Sequence, residues 1–407
     1  MSVPKLRFKD EQGHEYATLT KGTIADYCYE MKATVDPSST LDKKFIEYSM
    51  PAFDNGKTPT VSLGRDMHSI RKLIEQPCLL INKLNVRKQR IWLHDIEEKD
   101  AVCSTEFVAL GAKNKCCLAY FEQLSLTNHF TTYLVNNSSG TSNSQKRVSP
   151  NTIVKYTSLF PTLPEQEKIA DFLSTYDRMI DVQSQRVEAM KTRKKGLLQK
   201  IFSQEIRFKD DQGKDYPEWQ YHKINEFAKC IAGATPSTKN PEYWDNGIIP
   251  WMSSGEVNRR IIKYTDKKIS KIGYDHTSTK LLPPNTVVMA LAGQGKTRGM
   301  VALTKIELCT NQSLCAIVVD DTVKSEYLYQ YLLTRYDNLR LISSGDGTRG
   351  GLNLKLVGNY IIPVPSLLEQ QKIGEFLAAV DTQIDVEEKR LETMKTIKKG
   401  LLQQMFI

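Results

Sequence analysis

Apolar residues recur at alternating spacings of four and three through two long stretches of the chain. In the first, Ile169, Leu173, Tyr176, Ile180, Val187, Met190, Leu197 and Ile201 share one stripe. In the second, Ile373, Leu377, Val380, Ile384, Leu391, Met394, Leu401 and Met405 do the same. A 3.5-residue repeat over five heptads predicts a helix with a coiled-coil seam. Both stripes are interrupted at matching places, by Gln183 and Glu387 and again by Lys194 and Lys398. Polar seam positions reduce stability but can fix register and pairing; the alternative is a surface helix packed on its own domain, and the matched interruptions favour the two helices packing on each other. The expected helix-pairing residues are Ile169, Leu173, Ile180, Val187, Leu197, Ile373, Leu377, Ile384, Leu391 and Leu401.

The two stretches are copies. With Glu165 set against Glu369, 22 of 38 positions are identical, ending in "KKGLLQKIF" at 194–202 and "KKGLLQQMF" at 398–406. A second repeat sets "RFKDEQGHEY" at 7–16 against "RFKDDQGKDY" at 207–216. The order is tag, variable segment, helix, tag, variable segment, helix. If the ends of the chain meet, this order closes into a pseudo-twofold ring rather than an open solenoid, and the helices run antiparallel. At 1.5 Å per residue each helix is a rod of roughly 57 Å. The boundaries implied are 1–160 for the first tag and module, 161–204 for the first spacer, 205–362 for the second tag and module, and 363–407 for the second spacer. Leucines 197 and 401 read as seam residues. Lysines 194 and 398 sit in the seam, which points to pairing or partner contact rather than base reading, and Gly196 and Gly400 suggest close backbone approach. On the outer face Phe172, Arg186, Phe376 and Arg390 are candidates for partner contact, or equally packed or solvated residues.

The variable segments, 17–160 and 217–362, barely resemble each other. Both mix strand-like runs ("CLLINKL", "TVVMALAG", "LCAIVVD") with turn signals ("DNGKTP", "LPPNT", "SGDGTRGG") and short helical patterns such as "SEYLYQYLLTRY". The fold class expected is α+β, two globular modules joined by two long antiparallel helices. A chain of 407 residues, 40% hydrophobic and 25% charged, is long enough for several packed cores. No apolar run approaches the ~18 residues of a membrane helix, and "MSVPKLRFKD" lacks a signal-peptide core. Eight scattered cysteines without a CxxC pair suit a reducing cytoplasm and argue against a zinc site. The net charge of +9 falls almost wholly outside the helix copies, on the modules.

Certain module loops concentrate what nucleic-acid recognition uses. In the first module these are Lys83, Asn85, Arg87, Lys88 and Arg90 in "NKLNVRKQR", and Thr141, Ser142, Asn143, Gln145, Lys146 and Arg147 in "GTSNSQKR". In the second they are Gln294, Lys296, Thr297 and Arg298 in "GQGKTRG", Asn311 and Gln312 in "TNQS", and Arg349 and Asn353 in "GTRGGLN". Arg and Lys bind guanine edges or phosphates, and Asn and Gln read adenine through two hydrogen bonds. Any one such loop can equally be a solvated turn; the enrichment in both modules favours binding. "ALAGQGKT" is not a phosphate-cradling P-loop, because position 290 is alanine and no amphipathic helix follows Thr297. No nucleophile–base motif, HExxH or nuclease metal cluster stands out, and the Asx-Pro-Pro-aromatic motif of adenine methyltransferases is missing.

Taken together, the duplicated helices "LPEQEKIADFL…KKGLLQKIF" and "LLEQQKIGEFL…KKGLLQQMF" resemble those of the specificity subunit of type I restriction–modification systems. So do the module phrases "PAFDNGKTPT", "NKLNVRKQRIWL", "STEFVAL" and "GTSNSQKRV" in the first half, and "IPWMSSGEV", "LPPNTVVMALAGQGKTRGMVAL" and "CTNQSLCAIV" in the second. The likeness covers essentially the whole chain. It implies that each module reads one half of a split double-stranded DNA target, with the helices as a ruler between half-sites. It also implies two methyltransferase subunits and motor-endonuclease subunits as partners. S-adenosylmethionine would be bound by the methyltransferase subunits, and this chain would have no catalytic residue, metal or cofactor of its own. Stand-alone DNA-binding regulators, atypical restriction systems and a coiled-coil scaffold without a DNA role are the competing readings.

Overall fold

Each apolar repeat folds as a single helix, Leu163–Phe202 and Leu367–Met405. Neither has a proline beyond its first turn, and Glu165 and Glu369 sit where the helix dipole favours negative charge. The computed structural model describes residues 4–140, 145–293, 295–343 and 351–406. The expected contacts Thr141, Ser142, Asn143, Gln294 and Arg349 lie outside the described residues.

Two compact units emerge, Met1–Gln185 with Lys389–Ile407, and Arg186–Glu388. The division runs through both long helices instead of between module and spacer. The reason is packing: each module shares its core with the start of one long helix and the end of the other.

In the first unit a four-stranded antiparallel sheet runs in the order Cys28–Glu30, Phe107–Ala112, Cys78–Asn82, Ile91–His94. The run "CLLIN" is buried at all five positions, because the sheet is covered on both faces. A five-stranded mixed sheet holds Thr34–Val35, Arg71–Leu73, Ala101–Ser104, Lys44–Tyr48 and Thr60–Leu63. The larger core joins Phe121, Phe130, Tyr156 and Phe160 to Ile169, Leu173, Met405 and Phe406 of the long helices.

In the second unit the five-stranded sheet is ordered Ala228–Ala232, Leu314–Val319, Val287–Ala290, Val301–Thr304, Ile261–Ile262. "SEYLYQYLLTRY" forms the helix Ser325–Leu333 and leads into a second, Tyr336–Ile342. Here the core joins Ile224, Phe227, Tyr327 and Leu328 to Leu198, Ile201, Phe202, Ile373 and Leu377. Each module is closed by a short antiparallel pair, Thr20–Thr23 with Thr157–Phe160 and Gln220–Lys223 with Ile361–Val364, which brings its entry and exit together.

Candidate nucleic-acid interface and the duplicated joints

The first module's two candidate loops are knitted into one surface. Asn85 N–H donates to the Lys146 carbonyl at 2.9 Å, and Val148 N–H donates to the Lys83 carbonyl at 3.1 Å. Leu84 and Arg147 form a bridge between them. Asn85 takes φ +53°, a left-handed value that asparagine tolerates. Arg87, Lys88 and Gln145 are exposed, while Lys83, Asn85 and Lys146 are half-buried. Arg147 is exposed and donates to Glu106 Oε1 at 2.8 Å. Arg90 corrects the sequence reading. It is buried and bidentate to Asp54, Nε to Oδ1 at 2.8 Å and Nη2 to Oδ2 at 2.6 Å. Its position leads into the buried strand Ile91–His94, so it braces the fold instead of facing solvent.

In the second module the segment 295–299 is fastened to the helix Tyr336–Ile342. Tyr336 Oη donates to the Lys296 carbonyl at 2.7 Å, and Arg340 Nη1 donates to the Gly295 carbonyl at 2.9 Å. Lys296 is exposed, and Thr297 and Arg298 are half-buried. Gln312 is exposed and accepts from Thr235 Oγ1 at 2.5 Å. Asn311 Oδ1 accepts from Ser313 N–H at 3.2 Å, holding a local turn. Asn353 caps the helix Leu354–Gly358, its Oδ1 accepting from Leu356 N–H. Its side-chain oxygen therefore serves the backbone, as asparagine does at helix starts.

Sequence reasoning missed a set of residues repeated in both units, which join tag, module and long helices. Arg7 is bidentate to Glu165, and Arg207 to Glu369; the carboxylates are 1% and 0% exposed. These hydrogen bonds raise both guanidinium pKa values. The tags are shaped identically. Asp10 and Asp210 each accept two backbone N–H bonds, around Gly13 (φ +84°) and Gly213 (φ +80°). A side chain at either glycine would force a strained backbone. Next along each helix, Gln166 Oε1 accepts from Cys117 N–H at 3.1 Å, and Gln370 Oε1 accepts from Lys324 N–H at 2.8 Å.

A third joint is ionic. In the first unit Lys398 Nζ donates to Asp177 Oδ1, and Asp177 Oδ2 accepts from Gln123 Nε2 at 3.0 Å. In the second unit Lys194 Nζ donates to Asp381 Oδ1 at 2.6 Å, and Asp381 Oδ2 accepts from Gln330 Nε2 at 2.8 Å. Each cluster ties one helix of the module to both long helices. Burial outweighs the attraction of Asp381 and holds Lys194 below the usual lysine range. The signal was present in the sequence, since Asp177 and Asp381 are identical in the two copies yet lie off the apolar stripe.

Of the expected helix-pairing residues, Val187, Ile384 and Leu391 are buried, and Ile180 and Leu401 are half-buried. Ile169, Leu173, Ile373 and Leu377 reach further, into the module cores. Leu197 is only half-buried, while its neighbour Leu198 enters the core. Gly196 and Gly400 do not serve close approach, because a Cβ on either would meet nothing within 4 Å. Phe172 and Phe376 stack edge-on against Phe8 and Phe208 of the tags, and Arg186 pairs with Glu387 at 2.9 Å. Of the four outer-face candidates, only Arg390 remains simply exposed.

Among the described residues no His/Cys/Asp/Glu group could hold a metal ion, and no helix is long and apolar enough to cross a membrane. A family model described as the type I restriction modification DNA specificity domain matches residues 42–192 and 216–396. The specificity subunit of the type I restriction enzyme EcoR124I/EcoR124II of Escherichia coli is 24% identical over 384 residues, covering 91% of this chain and 88% of that protein. The MjaIX specificity subunit of Methanocaldococcus jannaschii is 32% identical over 212 residues, 51% of this chain and 48% of the relative. The fold matches the crystal structure of a type I restriction–modification S subunit from M. genitalium, with TM-score 0.63 and 15% identity over 100% of this chain and 99% of that one.

Proposed function

For a chain that belongs to the type I restriction–modification DNA specificity family, we propose that each module reads one half of a bipartite double-stranded target. The two long helices set the distance between the halves in a pseudo-twofold, antiparallel arrangement. They also dock two methyltransferase subunits, which motor-endonuclease subunits join. The observation that carries this reading is the duplicated joint. Two dissimilar modules are mounted on the same Arg–Glu, glutamine and Lys–Asp–Gln contacts. Equivalent sockets under unlike modules suit a device whose readout varies while its frame stays fixed.

The chain acts without chemistry of its own in this reading, in the cytoplasm. The methyltransferase subunits bind S-adenosylmethionine and receive the flipped adenine. Arg87, Lys88, Lys146 and Lys296 supply phosphate contacts, and base reading falls to neighbouring loop side chains. The test is module exchange. Residues 17–160 are replaced by the corresponding module of another family member, the hybrid is co-expressed with its methyltransferase, and methylated adenines are mapped by sequencing. One half of the motif should change and the other persist. An unchanged motif refutes the proposal.

A further inference from the structure

The glutamine at the start of each long helix makes the same pair of backbone hydrogen bonds in both units, but the residue it brackets differs. Gln166 holds the Lys115 carbonyl (3.4 Å) and the Cys117 N–H (3.1 Å), the groups on either side of Cys116. Gln370 holds the Thr322 carbonyl (3.1 Å) and the Lys324 N–H (2.8 Å), bracketing Val323 in the same manner. Facing Cys116 is Cys28, which terminates the short helix Ile24–Tyr27; its counterpart terminating Ile224–Phe227 is Ala228. The second unit thus fills the joint with alanine and valine, and the first fills it with two thiols whose sulfurs lie 3.5 Å apart. Packing alone does not require sulfur at this place.

We propose that Cys28 and Cys116 form a modification site, oxidised by glutathione disulfide to an intramolecular bridge confined to the first module's joint. The division of labour follows from exposure. Cys28 is buried, 1% exposed, and Cys116 is half-buried within the irregular stretch 113–117. The hydrogen bond to Cys116, together with burial, pushes the Cys28 thiol far above its ordinary pKa. Cys116 is therefore the attacking sulfur and Cys28 the resolving one.

In the first step the Cys116 thiolate attacks one sulfur of glutathione disulfide, and one glutathione thiolate leaves. In the second, Cys28 passes its proton to a departing glutathione thiolate and attacks the Cys116 sulfur, releasing the second glutathione. Two protein thiols are oxidised, and one disulfide is reduced to two thiols. Closing to a bond of about 2.05 Å moves the sulfurs together by about 1.5 Å. Rotation of the Cys116 side chain supplies that movement, in a stretch that belongs to no strand or helix. The other adjacent thiols, Cys230 and Cys315, sit within two paired strands, opposite Ile317 and Ala232 respectively. They lack that slack.

The experiment uses the full chain incubated with glutathione disulfide, quenched by alkylation in denaturant and mapped by peptide mass spectrometry. A Cys28–Cys116 linked peptide, reversed by dithiothreitol, is expected. Cys28→Ala and Cys116→Val install the second unit's own residues, so both variants should keep the wild-type circular dichroism, and each should lose the linked peptide. Cys230→Ala should retain it. The proposal is overturned if Cys116 carries glutathione while Cys28 stays alkylated. It is equally overturned if Cys116 bridges to Cys117, or if both thiols remain reduced.

Discussion

Replacing Arg207 with methionine isolates the energetics of a joint. Glu369 is 0% exposed and keeps two partners, Arg207 and the indole of Trp219 at 3.0 Å. At 2.8 Å and an effective dielectric constant near 20, the ion-pair attraction is roughly 6 kcal/mol, set against several kcal/mol of desolvation for each ion. Removing one partner leaves a buried carboxylate uncompensated, so Arg207→Met should cost about 3–5 kcal/mol in the second unit. Urea unfolding followed by tryptophan emission suits the measurement, since Trp219, Trp244 and Trp251 all lie in the second unit. Adding Glu369→Gln keeps an acceptor for Trp219 and removes the charge, and should recover most of the stability. A deficit under about 1 kcal/mol, or no recovery in the double variant, would refute the reasoning.

Gly196→Ala and Gly400→Ala should each stabilise the protein by about 0.5–1 kcal/mol in thermal unfolding, because the added methyl meets open space and alanine favours helix. Arg87→Ala with Lys88→Ala should weaken DNA binding for all sequences and reduce the salt slope by about one for each phosphate no longer neutralised, as read by titration at several salt concentrations. Asp54 is held below its usual 3.8 mainly by the Arg90 hydrogen bond. Its contribution is present above that value and disappears as pH falls through the lowered folded pKa, so Asp54→Asn should flatten the acid limb of a melting-temperature titration. Inserting four residues into the first long helix, near its middle, should change the gap between half-sites in the methylation map while leaving both half-sites intact; an unchanged gap sinks the ruler.

The repeat made much of this molecule legible before any coordinates. A 3.5-residue stripe can be satisfied only by a helix, and 22 identities in 38 positions demanded two equivalent helices with equivalent ends. The strands Cys78–Asn82, Val287–Ala290 and Leu314–Val319 were visible for a similar reason, since short apolar runs between turn signals read as covered strands. Tertiary structure alone decided which polar residues face water. Arg90 and Arg87 look alike in "NVRKQR", yet one meets Asp54 from a distant segment and the other meets solvent. Periodicity likewise assigned Ile169 and Leu173 to a helix–helix seam, but their burial is shared with Phe121 and Phe130 of the module. A stripe records which side of a helix is covered and carries no information about what covers it. The covering groups come from chain segments that only folding brings together.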